Sequence, residues 1–191
     1  MSRKNNRFLA LCVAAAVAVG VASTAQAVDL RSWDQKTNDA NKRFIVLASF
    51  NNQAVLDKET QLVWQRSPSS VAVSWEEADF KTKSEPSCAL ATTGGRQGWR
   101  LPTRFELMTL SDPSVSGTAQ LPVGHPFTGI NPDAFYWTSD LYRHTDAAVT
   151  PKFWSVKFEP GSTVLAFIAM DAIGLDTRIW CVRGQGSPGG F

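Results

Sequence analysis

The sequence predicts an α+β fold, with two short helices early in the chain and a mainly antiparallel sheet late. Three observations carry this. Ser74 with Glu77, and Thr103 with Glu106, have the S/T-x-x-E spacing in which a hydroxyl and a carboxylate satisfy the free N–H groups of a first helical turn. AVLDKETQLVWQ (54–65) places two apolar runs around Asp57–Thr60, which reads as a hairpin. KFWSVKFE (152–159) and TVLAFIAM (163–170) flank Pro160-Gly161-Ser162, where proline followed by glycine fits a type II turn.

In chain order, residues 28–42 are polar and without a clear period, and RFIVLASF (43–50) reads as a strand. The 54–65 hairpin follows, then a helix over 71–83 that Pro86 interrupts just before Cys88. GGRQGWRLPTRFELMTL (94–110) is the densest local signal. Its glycines permit tight turning, and Pro102 holds Leu101 extended so that no helix starts earlier. Thr103 and Glu106 then open the second helix, which Asp112-Pro113 ends. Trp99 and Leu101 share one face of the extended segment and point to the core. Residues 111–133 are loop-like, and AFYWTSDLY (134–142) is a strand. In 152–159, Trp154, Val156 and Phe158 alternate onto one face and Ser155 and Lys157 onto the other. RIWCVR (178–183) closes the sheet, and GQGSPGGF (184–191) reads as a flexible tail.

Residues 1–27 have a basic start (Arg3, Lys4, Arg7), an apolar stretch over 8–21 and the small-x-small site Ala25-Gln26-Ala27. That is the layout of a cleaved secretory signal peptide, too short for a stable membrane span. A lipid anchor on Cys12 is the rival reading, and Leu11 argues against it. The expectation is export to the periplasm, the cell surface or the medium, with no membrane span after cleavage. The whole chain has 19 basic and 17 acidic groups, net +2. The leader holds three of the basic groups and no acidic ones, which leaves −1 for residues 28–191. Composition therefore gives no reason to expect nucleic-acid binding. Cys88 and Cys181 remain in a chain sent to an oxidising compartment, so one disulfide is expected, against a rival reading of two buried thiols. Such a bridge would be worth about 4 kcal/mol in the chain-entropy model.

Several segments together resemble the Lcl C-terminal-domain family. They are VLDKETQLVWQR, SWEEADFKTKSEPSC, the glycine-led WRLPTRFEL, FYWTSD, FWSVKFEPGSTV and RIWCVRG, in that order over about residues 43–184. The resemblance implies a C-type-lectin-like fold, distantly akin to formylglycine-generating domains, in a bacterial secreted or surface binding protein. It also supports the Cys88–Cys181 bridge. The family's namesake is an adhesin whose domain binds sulfated glycosaminoglycans and forms a trimer, so a homo-oligomer is a further implication. This chain has no Gly-X-Y stalk and no plain run of Lys and Arg for a sulfated polymer. The domain expected is 43–184, between a 28–42 extension and a 185–191 tail.

No catalytic set stands out. His125 and His144 lie in loop-like sequence without ligand spacing and read as surface residues, and there is no G-x-S-x-G elbow. The chain is expected not to be an enzyme, with a hydrolase or oxidase on a lectin-like scaffold as the distant alternative. No metal or other cofactor is expected. A calcium site stays open only if Asp133, Asp140 and Asp146 converge. Asn131-Pro132-Asp133 resembles a sugar-binding calcium motif, but no Trp-Asn-Asp follows. Trp64, Trp75, Trp99, Trp154 and Trp180 sit at positions that read as packing. Trp137, Asp140, Tyr142, Arg143, His144 and Lys152 lie on or beside the 139–152 loop between two strands, and are the candidate ligand-binding residues. Trp99, Leu101, Pro102, Thr103 and Glu106 are expected to be scaffold. The function expected is non-catalytic recognition of a glycan or surface polymer. The alternative is a protein-interaction subunit of a secreted or pilus-like assembly.

Overall fold

A computed structural model of the 191-residue chain describes residues 37, 39–79, 87–116, 119–142, 151–160, 162–169 and 174–184. The chain divides after Leu30, and these residues all belong to the unit that follows. They form an α+β fold with two four-stranded sheets. The first has the order β1 (Phe44–Val46), β2 (Ala54–Asp57), β3 (Val63–Gln65), β8 (Val182–Arg183), and every pair is antiparallel. The second has the order β6 (Ser162–Ala169), β5 (Lys152–Glu159), β4 (Phe135–Tyr142), β7 (Thr177–Arg178), with only β4–β7 parallel.

The helices are short: α1 (Ala40–Arg43), α2 (Trp75–Asp79) and α3 (Arg104–Met108). Both expected capping boxes form. Thr103 Oγ1 accepts from Glu106 N at 3.1 Å while Glu106 Oε2 accepts from Thr103 N at 2.8 Å. Ser74 N donates to Glu77 Oε2 at 2.9 Å, and Glu77 N to Ser74 Oγ at 3.4 Å. α2 starts at Trp75 and not at 71, because its cap is Ser74; residues 80–83 of the expected helix lie outside the described ones. α3 stops four residues before Asp112-Pro113, where Leu110 N turns back to Leu107 O at 3.0 Å.

Two expectations from the strand pattern need correction. RFIVLASF is not one strand: Arg43 ends α1, and Ala48–Phe50 is a 3-10 turn closed by Asn51 at φ 52°. The end of the 28–42 segment is also folded: Ala40 opens α1 and is buried, while Asn41 and Lys42 stay exposed. RIWCVR is split between the sheets. Arg178 pairs with Tyr136 in one, Val182 with Trp64 in the other, and Ile179-Trp180-Cys181 crosses buried between them. Strand β5 keeps the expected alternation and buries both faces, since Phe153 and Ser155 are covered as well as Val156 and Phe158.

That double burial follows from two core clusters. Leu107 and Leu110 pack with Tyr136, Val156, Phe158 and Trp180. Trp75 and Ala78 pack with Trp99, Leu101, Trp137 and Phe153. Trp180 is central to the first, with Phe127 edge-on at 4.9 Å and Trp64 tilted at 5.6 Å. The disulfide joins Cys88 to Cys181 across 93 positions, with Cα atoms 5.4 Å apart.

The WRLPT expectation holds. Trp99 and Leu101 are buried, and the Trp99 indole donates to Arg96 O at 2.9 Å. Trp99→Ala is expected to cost about 3–5 kcal/mol in urea unfolding. A loss under about 1 kcal/mol would contradict its place in the core. His125 differs from a surface histidine, being half-buried. Burial lowers its pKa below 6.5, against a smaller opposing effect of the Phe127 backbone. The unfolded chain therefore takes up a proton first. The contribution is full above pH 6.5 and is lost as pH falls towards the folded pKa. His125→Gln should flatten the fall in stability as pH drops below about 6.5.

Candidate functional site

Hydrogen bonds hold the start of α3 against β4. Arg104 N donates to Asp140 Oδ2 at 2.6 Å, and Ser139 N to Pro102 O at 2.8 Å. Glu106 also receives the Arg100 guanidinium as a fork, at 2.7 and 2.8 Å. The WRLPT segment is thus the platform on which the β4–β5 end sits. Pro102, buried, supplies the carbonyl that the sheet uses.

On that platform, Arg104 lies over the Trp154 ring at 4.8 Å from its centroid and over Phe105 at 4.7 Å. Tyr142 meets Trp154 edge-on at 5.6 Å and pairs across the strands with Lys152. Trp154, Tyr142, Arg104 and Lys152 are half-exposed, and Phe105 is 42% exposed. Of the expected ligand-binding residues, Asp140, Tyr142 and Lys152 therefore gather at the base of the loop. Arg143 and His144 lie outside the described residues, as does Asp146.

Trp137 does not join them. It is fully buried, its indole donating to Val73 O at 2.9 Å, and it packs towards α2. Trp154, read from the sequence as packing, takes the exposed place instead. Alternation separates the two faces of a strand, but which face stays open depends on where α2 and α3 dock. Arg104 and Phe105 were missed because their pattern reads only as helix start and apolar stripe.

Asn131 has a local role. Its Oδ1 accepts from Asp133 N at 3.0 Å and its Nδ2 donates to Asp176 at 2.9 Å. Beside it, Tyr136 exchanges hydrogen bonds with the Asn131 backbone, and burial raises its pKa to about 12. Among the described residues, no group of three or more His, Cys, Asp or Glu could hold a metal ion, and no helix is long and apolar enough to cross a membrane.

No curated protein and no solved structure matches the chain significantly. The Lcl C-terminal domain model matches residues 53–183, from the first hairpin to the closing strand, so the chain belongs to the Lcl C-terminal domain family.

Proposed function

We propose that this is an exported, non-catalytic binding domain of C-type-lectin-like type that recognises a glycan. The observation that carries the reading is the half-exposed Trp154, flanked by Tyr142 and Arg104 on a rigid platform. Sugar rings present C–H faces that pack on aromatic rings, and nearby polar groups such as Lys152 and Arg104 fix their orientation. The platform's hydrogen bonds to β4 keep these groups in place before a ligand arrives.

The test is saccharide binding by the full chain and by Trp154→Ala. The variant should lose about tenfold or more in affinity, with its melting curve little changed. Unchanged affinity would remove Trp154 from the site. A second reading, a protein-interaction subunit of a surface assembly, is favoured by Phe105 and Leu141, which are 42% and 48% exposed.

A further inference from the structure

A groove of about 470 Å³ opens at the Ala54–Gln65 end of the first sheet and shares no lining residue with the Trp154 platform. Small-molecule sites span about 300–1,000 Å³, so the groove is large enough to hold a ligand. Gln65, which ends β3, lines it together with Gln53, which precedes β2. Residues of 67–70 form one wall, residues of 87–93 the other, and Ile179 of the crossing segment lies between.

Both walls are anchored to that buried crossing segment. Ser69 N donates to Ile179 O at 2.9 Å, and the Cys88–Cys181 disulfide holds the segment that carries Ser87. The Gln65 side chain braces the middle. Its Nε2 donates to Thr93 Oγ1 at 2.7 Å, and its Oε1 accepts from Cys181 N at 3.1 Å. Gln53 is fixed in the same way, its Oε1 accepting from Gly94 N at 2.7 Å. The groove therefore has its shape before a ligand enters.

None of the described lining residues is charged. A charged ligand would give up water there and meet no counter-charge, which is costly. The groove offers neutral hydrogen bonding instead. Gln53 Nε2, Ser70 Oγ and Thr92 Oγ1 have no hydrogen-bond partner among the described residues, and all three residues are exposed. The amide donates, and each hydroxyl both donates and accepts, which matches a ligand made of hydroxyl groups. A peptide fits less well. A peptide strand needs a free sheet edge, whereas β2 and β3 are each paired on both sides. Side-chain anchors need apolar pockets, whereas only Pro68, Ala91 and Ile179 are apolar among the described lining residues.

We propose that this groove binds an uncharged saccharide unit, with Gln53, Ser70 and Thr92 holding its hydroxyls. The inference rests on the glycan-binding reading and adds to it a second subsite, separate from Trp154.

The test is an NMR titration of the isotope-labelled full chain with cellotriose, maltotriose, chitotriose and trigalacturonate. A neutral trisaccharide should shift the Gln53 side-chain amide and the Thr92 resonances, and trigalacturonate should leave them in place. Thr92→Val removes the hydroxyl at similar volume and should weaken the neutral sugar at this site about fivefold. Gln53→Glu keeps the acceptor for Gly94 N but brings a charge, and should weaken it at least as much. Both residues are exposed, so both variants should fold. Trp154→Ala should leave the Gln53 and Thr92 shifts unchanged. Neutral-sugar binding that moves neither resonance and is lost in Trp154→Ala would overturn this site and leave the glycan reading standing. An equal response of the groove to trigalacturonate would overturn the uncharged assignment. No shift with any saccharide would overturn both.

Discussion

Replacing Arg43 with alanine is expected to destabilise the protein by about 3–5 kcal/mol. Arg43 and Asp57 are both almost fully buried. The Arg43 Nε and Nη2 donate to the two Asp57 oxygens at 2.9 and 2.8 Å, and Nη2 donates again to Thr109 O at 2.7 Å. Glu59 Oε2 lies 3.2 Å from Nε. One side chain thus ties α1, the first hairpin and the end of α3 together. Asp57 is further engaged by Glu59 N at 3.0 Å and Thr60 Oγ1 at 2.9 Å, so it is held in the turn when its cation is removed. Truncating Arg43 strands negative charge in the interior, which is where the large cost arises. Replacing Arg43 by Met, Asp57 by Leu and Glu59 by Gln together should cost much less than Arg43→Ala alone, because no unpaired charge is then left in the interior. Equal losses in urea unfolding would show that the buried charge is not the cause.

The Cys88→Ser, Cys181→Ser double variant is expected to lose about 2–5 kcal/mol. The bridge anchors the segment after α2 to the buried segment that crosses between the sheets. Opening it frees a loop of 93 positions in the unfolded chain. Denatured, non-reduced protein should show no free thiol beyond that of Cys12 where residues 1–27 remain. Two further thiols, or a stability unchanged by the double replacement, would contradict the bridge's role.

The parts of the fold legible in the sequence are those fixed by neighbours. The Thr103–Glu106 box, the extended Trp99–Leu101 step before Pro102 and the 54–65 hairpin are decided within a few residues, and all three form. The split of RIWCVR could not be read, because Arg178 and Val182 are equally good strand residues. What divides them is partner choice: Tyr136 in one sheet and Trp64 in the other. The same holds for Arg43, which reads as the polar start of a strand until Asp57 is brought to it. Asp140, Tyr142 and Lys152 could be found at the candidate site because the loop between two strands announces itself. Trp154 could not, since its exposure is set by the position of α3.

The most direct test of the account is binding of the chain to a panel of neutral, carboxylated and sulfated saccharides, at low and high salt, with and without EDTA. Saccharide binding that survives EDTA and weakens in Trp154→Ala is the result expected. No saccharide binding, with a protein bound instead, would contradict the glycan-binding account.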